Sequence, residues 1–217
     1  MIMNIVSITE INKQRARISL DTEESFVLYK GEIRLLHLRE GMELSSENYD
    51  RIMKGILPKR CKMRAMNLLK DRDYTSYSLK KKLLDGGYPE SIAEETLNYV
   101  SSYGYVNDLK YAMMYIEDQG SKYTVREIAQ KLLSKGIPVS LTEEALRQLK
   151  EEREEYGEDS QRDIECDLIE KTLRKRGFTG NESYEERQKL LAYFYRRGFD
   201  TDLVRRIMEK VSKNSDF

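Results

Sequence analysis

Apolar positions recur with a helical period through most of this chain, and glycines interrupt the pattern at regular places. Between Thr124 and Leu146, an apolar stripe runs to Gly136, and a second stripe opens just after it. The same order of signals occurs between Thr75 and Leu97, and in weaker form between Ser183 and Met208. Self-similarity of this kind is typical of proteins built from stacked repeats.

The interrupting glycines support this interpretation. Each is followed by an apolar residue and then by a residue suited to opening a helix, as in Gly87–Tyr88–Pro89, Gly136–Ile137–Pro138 and Gly198–Phe199–Asp200. A glycine at a helix end accepts the left-handed backbone conformation at little cost. Any two amphipathic helices look somewhat alike, but here the apolar, glycine and helix-start positions all agree. We therefore predict three repeats.

Each repeat is predicted to hold three helices, and each helix is too short to be stable alone in water. We place the repeats at residues 59–106, 107–156 and 157–217. The mainly acidic run Glu151–Asp159 is interpreted as a solvated helix end and linker. Packing within and between repeats predicts an elongated, curved rod.

Residues 1–58 follow a different pattern and are predicted to form a β-rich extension with short helices. Ala16, Ile18 and Leu20 alternate with polar residues, which is the period of a strand. The run 26–29 predicts a second strand, joined to the first by a hairpin loop at residues 21–24. One short helix is predicted at Glu32–Leu38. A later one, capped at Ser45 or Ser46, is predicted to reach Leu57, and Pro58 is predicted to end it before the repeats. The fold class is therefore mainly α, and a β element this small should pack on the first repeat.

The residue types and motifs present in the sequence give little support for catalytic activity. The only histidine, His37, lies among leucines and is expected to be a partly buried structural residue. Cys61 and Cys166 lack the spacing of a metal site and are interpreted as reduced packing thiols. No nucleophile elbow, phosphate loop or metal-ligand cluster is present. We expect no enzyme activity, cofactor or metal, and the absence of a long apolar run or a secretion signal favours a cytoplasmic protein.

Basic residues are more informative, because they recur in the second helix of each repeat. Eight of them are candidate contacts with a partner: Lys80, Lys81, Lys82, Arg126, Lys131, Lys135, Arg196 and Arg197. Together they would line one face with positive charge, which suits phosphates or an acidic protein groove. The simpler interpretation, favoured on charge alone, is that they cover the solvent side of amphipathic helices.

The junction between the first two repeats carries a recognisable sequence motif. The run Tyr103–Asp108 (YGYVND), followed by Tyr111–Ala112 and later by Lys135–Ile137, resembles the RecX family of bacterial recombination regulators. The resemblance covers about residues 58–217, and the third repeat diverges most from the family pattern. The N-terminal extension is similar to that of longer RecX proteins.

This resemblance implies a non-enzymatic modulator of RecA. Such a protein would bind the RecA–single-stranded DNA filament along its groove and hinder ATP hydrolysis, strand exchange and filament growth in recombination and DNA repair. The family motif does not fix the contact residues. We further expect a monomer that binds single-stranded DNA weakly or through RecA and does not associate with membranes.

Two alternatives stay open at this point. One is a helical-repeat module that binds nucleic acid without RecA, for which the basic clusters argue. The other is a helical scaffold for a different protein partner.

Overall fold

The computed structural model describes residues 3–155 and 161–214, which form a mainly helical protein with a small N-terminal sheet. The strands are β1 Ile5–Glu10, β2 Arg15–Leu20 and β3 Ser25–Tyr29. The helices are α1 Lys30–Leu35, α2 Ser46–Asp50, α3 Leu57–Asp71, α4 Ser76–Asp85, α5 Glu90–Ser102, α6 Asp108–Gly120, α7 Val125–Ser134, α8 Val139–Glu155, α9 Gln161–Lys175, α10 Tyr184–Arg197 and α11 Thr201–Asn214, with a π-helical segment Arg51–Ile56 between α2 and α3. The chain divides into two compact units, Met1–Asn107 and Asp108–Phe217.

The sheet is an antiparallel meander in the order β1-β2-β3. The predicted hairpin of β2 and β3 is confirmed, and Ala16, Ile18 and Leu20 are buried as their alternation indicates. Strand β1 was not apparent from its pattern. Its register shifts between Ile5 and Ser7, so that Ile5 and Ile8, three residues apart, both pack on the same core. A bulge of this kind breaks the alternation that identifies a strand.

The sheet packs on the first repeat, as expected. Residues of both lie in one core, for example Phe26 and Leu28 from the sheet with Leu57 and Leu83 from the helices. The free edge of β3 is also covered, because the Val27 N–H donates to the carbonyl of Gly87 at 3.2 Å. An edge strand bonded in this way presents fewer unpaired groups to solvent.

The predicted helix end at Pro58 is wrong. The Ser45 side chain caps α2 by accepting from the N–H of Asn48, but the helical run then continues through the π-helical segment into α3. In an α-helix a proline ring collides with the carbonyl four residues earlier. The wider π turn before Pro58 gives the ring the space that a regular turn lacks. The predicted extension and the first repeat are thus joined by helix rather than by a loop.

The repeat signals are confirmed at both ends of the second helices. Thr75, Thr124 and Ser183 cap α4, α7 and α10, each with a reciprocal capping box. The glycines that follow these helices, Gly87, Gly136 and Gly198, have φ of 85°, 84° and 93°. Helices α6–α8 and α9–α11 each surround a hydrophobic cluster of their own.

Part of the predicted linker is helical, because α8 continues through Glu155. A row of charged residues with good helix propensity extends α8 beyond its apolar stripe. Residues 156–159 of that linker lie outside the described residues. Within the described ranges, no helix has both the length and the apolar character needed to cross a membrane.

Candidate functional site

Lys80 is held in an ion-pair network between two helices of the first repeat. Its Nζ lies 2.7 Å from a carboxylate oxygen of Glu90 and 2.8 Å from one of Glu94, both on α5. The hydrogen bonds that Lys80 donates to Glu90 and Glu94 raise the pKa of its ammonium group above its ordinary value. The charge of this predicted contact residue is therefore shared with two carboxylates that join α4 to α5.

Arg197 connects the third repeat to the second. Its Nε and Nη2 donate to the two carboxylate oxygens of Glu127 at 3.0 and 2.8 Å. The Thr124 hydroxyl donates to the carbonyl of Arg197 at 2.9 Å. The hydrogen bond from Arg197 is the main cause that lowers the pKa of Glu127. The capping box of α7 thus also holds the C-terminal end of α10.

Lys131 and Lys135 lie over aromatic rings of their own repeat. The Lys131 Nζ is 4.1 Å from the centroid of the Tyr123 ring, and the Lys135 Nζ is 5.6 Å from that of Tyr115. Both side chains are half-buried. The attraction of an ammonium group to the face of an aromatic ring holds each side chain near its tyrosine.

The four remaining predicted residues, Lys81, Lys82, Arg126 and Arg196, are exposed. Arg126 also covers Gly198, since a Cβ placed on that glycine would lie 2.9 Å from Arg126 Cδ. Of the eight predicted residues, Lys80, Lys81 and Lys82 belong to the N-terminal unit and the other five to the C-terminal unit. Two of them help to line grooves that contain further cations.

The first groove, here called the sheet–helix groove, lies in the N-terminal unit and has a volume of about 610 Å³. It is lined by Arg15, Tyr29, Arg60, Met63, Arg64, Asn67, Lys82, Asp85, Gly86 and Tyr88. Only Lys82 was among the predicted contacts. The α3 residues at positions 60, 63, 64 and 67 follow the i, i+3, i+4, i+7 spacing of one helix face. That polar face was the available signal, while Arg15 reaches the groove only through the pairing of β2 with β3.

The second groove, here called the inter-repeat groove, lies in the C-terminal unit and has a volume of about 490 Å³. It is lined by Ser121, Lys122, Leu168, Lys171, Thr172, Lys175, Arg176, Tyr193 and Arg197. Its cations come from α9, α10 and the turns after α6 and α9. Tyr193 lies beneath two of them, with Arg176 Cζ at 3.6 Å and Arg197 Cζ at 5.7 Å from its ring centroid.

His37 differs from the prediction, because its side chain is exposed rather than partly buried. It adopts φ of 51° just after α1, while the N–H of Leu38 donates to the carbonyl of Ile33. This bond belongs to a helix-ending motif that requires a left-handed residue. The flanking Leu36 and Leu38 are buried, and the imidazole between them faces solvent.

The two cysteines are free thiols. Cys61 packs in the core of the N-terminal unit, where burial raises the pKa of its thiol, and Cys166 is half-buried. The packing interpretation is confirmed for Cys61. Across the part of the chain that the structure describes, no group of three or more His, Cys, Asp or Glu side chains is arranged to hold a metal ion.

Family models match at two places in the chain. The model described as RecX, first three-helix domain, matches residues 61–99, and that described as RecX, third three-helix domain, matches residues 163–208. These ranges span most of α3–α5 and of α9–α11, so the helical triplets seen in the structure coincide with the domains of that family.

Relatives match over nearly the whole chain. The regulatory protein RecX of Clostridium beijerinckii is 24% identical over 96% of this chain and 95% of its own length. That of Caldanaerobacter subterraneus is 27% identical over 87% of this chain and 89% of its own. A crystal structure of regulatory protein RecX superposes with a TM-score of 0.62 at 22% identity, covering 95% of this chain and 99% of that one, which establishes a common fold. The chain thus matches two three-helix domains of the RecX family and is similar to regulatory RecX proteins over almost its whole length.

Proposed function

We propose that this protein is a cytoplasmic regulator of RecA that has no enzymatic activity of its own. It would bind the RecA–single-stranded DNA filament and reduce its ATP hydrolysis, strand exchange and growth. The observation that carries this proposal is the match to regulatory RecX proteins along almost the entire chain. Repeats with separate cores and cationic surfaces also suit a partner that is itself a repeating, charged filament.

Among the predicted contacts, the exposed residues Lys81, Lys82, Arg126 and Arg196 suit a partner best. Their side chains are accessible, whereas Lys80 and Arg197 already bind carboxylates of their own chain. A cation without an internal ion pair has more to gain from a carboxylate or phosphate of a partner. We place Lys131 and Lys135 second, because each is already placed over a tyrosine.

The test is the ATPase activity of RecA on single-stranded DNA with increasing amounts of this protein. We expect inhibition that saturates, shorter filaments and slower strand exchange. Replacing Lys81 and Arg196 by glutamate should raise the concentration needed for half-inhibition about tenfold or more, since reversing rim charges changes association strongly. The control Arg34→Glu with Arg39→Glu makes the same charge change at exposed positions outside both grooves. Unchanged ATPase, strand exchange and filament length would count against the proposal.

The rival function is a nucleic-acid-binding module that acts without RecA. The observation that favours it is the presence of a groove rich in cations in each unit. It predicts that inhibition disappears when DNA is in excess, because the protein would act by competing for DNA. Inhibition that persists at saturating DNA excludes this rival.

A further inference from the structure

The sheet–helix groove combines free positive charge with an accessible aromatic ring. Its cations come from three different elements: Arg15 from β2, Arg60 and Arg64 from α3, and Lys82 from α4. Among the described residues that line it, Asp85 is the single acidic one. Since Arg60 is paired with Glu32, three cations against one carboxylate give the groove a positive potential that attracts a polyanion.

Three of these cations form no ion pair with a carboxylate in the part of the chain that the structure describes. Arg60 pairs with Glu32 at 2.8 Å, with both side chains largely buried. For Arg15, Arg64 and Lys82, no ion pair is formed with any carboxylate in residues 3–155 or 161–214. Arg15 is half-buried at the first residue of β2, and Arg64 and Lys82 are exposed. Their charges are therefore available to an incoming phosphate group.

Arg60 instead holds the aromatic part of the groove in place. Its guanidinium carbon lies 4.1 Å from the centroid of the Tyr29 ring and 6.0 Å from that of Tyr88. Because Glu32 fixes the guanidinium, Tyr29 is positioned before any ligand binds, yet it stays 42% exposed. Arg15 pairs with Tyr29 across the sheet, which brings a free cation beside that ring.

The inter-repeat groove is different in this respect. It has more cations, but Tyr193 is covered by Arg176 at 3.6 Å and contacts Arg197 as well. Its ring is less exposed than that of Tyr29. That groove suits phosphate groups alone, whereas the sheet–helix groove suits a ligand that presents phosphates and flat rings together.

We propose that the sheet–helix groove binds single-stranded nucleic acid, with phosphates on Arg15, Arg64 and Lys82 and a base against Tyr29. Single strands expose base faces that stack on aromatic side chains, while a duplex hides them. An acidic peptide would use the cations but not the ring. The inference goes beyond the regulation of RecA and needs only this chain, so its test contains no RecA.

The experiment measures fluorescence anisotropy of a labelled oligothymidylate with the full chain over a range of salt concentrations. The triple variant Arg15→Ala, Arg64→Ala and Lys82→Ala should bind the oligonucleotide about tenfold more weakly or worse. The slope of log K against log salt concentration should also be smaller in magnitude by about 2, because each of the three lost phosphate contacts on a single strand contributes about 0.7. The matched control Arg34→Ala, Arg39→Ala and Arg51→Ala removes the same charge from exposed positions of the same unit. Circular dichroism verifies that both variants are folded.

A single replacement, Tyr29→Leu, separates stacking from charge. It should weaken binding about fivefold or more while leaving the salt slope unchanged, because stacking on an aromatic ring releases no counterions. A duplex of the same length and poly-glutamate serve as competitors, and both should displace the labelled strand poorly. The proposal is overturned by equal losses in the triple variant and its control. It is also overturned by equally effective competition from poly-glutamate, or by loss of binding only when Lys122, Lys171 and Lys175 of the inter-repeat groove become alanine.

Discussion

Gly87 is the position where the sheet meets the first repeat, and its replacement by alanine gives the sharpest test of the fold. A Cβ on Gly87 would lie 2.1 Å from Val27 Cγ2 and 2.9 Å from Val27 Cβ. Gly87 itself has φ of 85°, a conformation that disfavours any side chain. Two separable costs are therefore expected at this position.

The magnitudes follow from these two causes. A left-handed backbone at alanine costs about 1–2 kcal/mol, and overpacking a well-packed contact costs about 1–3 kcal/mol more. Gly104→Ala is the matched control, because Gly104 has φ of 74° in the same unit but nothing within 4 Å of its Cβ position. Gly87→Ala should thus destabilise the N-terminal unit by about 2–5 kcal/mol, and Gly104→Ala by only about 1–2 kcal/mol.

Amide hydrogen exchange in β2 and β3 is the suitable assay, because a chain with two compact units need not unfold in one step. Adding Val27→Ala to Gly87→Ala should recover about 1 kcal/mol or more of the lost free energy of unfolding, because the two sites are in contact. Adding it to Gly104→Ala should recover none. Equal losses of protection in the two glycine variants, or no recovery with Val27→Ala, would refute the proposed docking of the sheet.

Three further predictions concern other parts of the chain. Gly136→Leu should lower the melting temperature measured by circular dichroism, because φ is 84° at this helix end; an unchanged value would contradict the role of this glycine. Glu127→Gln keeps the capping box but loses the charged pair with Arg197, so we expect a loss of about 1–2 kcal/mol at pH 7 in urea unfolding. The pKa of Glu127 is lower in the folded than in the unfolded protein, so this stabilisation is fully present above the unfolded pKa near 4.3. It is lost as pH falls through the folded pKa. The free energies of unfolding of the native protein and the Glu127→Gln variant should therefore converge in acid. In the native protein an aromatic disulfide reagent should modify Cys166 well before the buried Cys61, and equal rates would contradict the burial of Cys61.

Local signals in the sequence were sufficient for the repeats. A capping threonine, an apolar stripe and a stop glycine are each read within a few residues, and the structure confirms them at Thr124 and Gly136. The sequence-based predictions were wrong or incomplete where an irregular backbone segment overrides the local pattern. Pro58 suggests a boundary, but a π-helical segment accommodates it, and the bulge after Ile5 hides a strand.

The candidate site was less predictable, because a pairing partner distant in sequence decides whether a cation is free. Lys80 and Lys81 are adjacent on α4, yet one binds two carboxylates and the other is exposed. Arg15 has no distinguishing context in its own strand and reaches the sheet–helix groove only through the register of β2 with β3. Helical periodicity indicates which face of a helix is polar, but it does not indicate which side chains of other elements lie against that face.

The contact between Thr124, Glu127 and Arg197 has a consequence for how the repeats can be exchanged. In the first repeat the equivalent capping box is formed by Thr75 and Ser78, so it has no carboxylate to offer a guanidinium. A shuffled chain with the first repeat in place of the second would leave Arg197 without its acceptor. The helix caps therefore constrain the order of the modules, and a chimera would need Ser78→Glu to restore the acceptor, since Thr75 already supplies the cap.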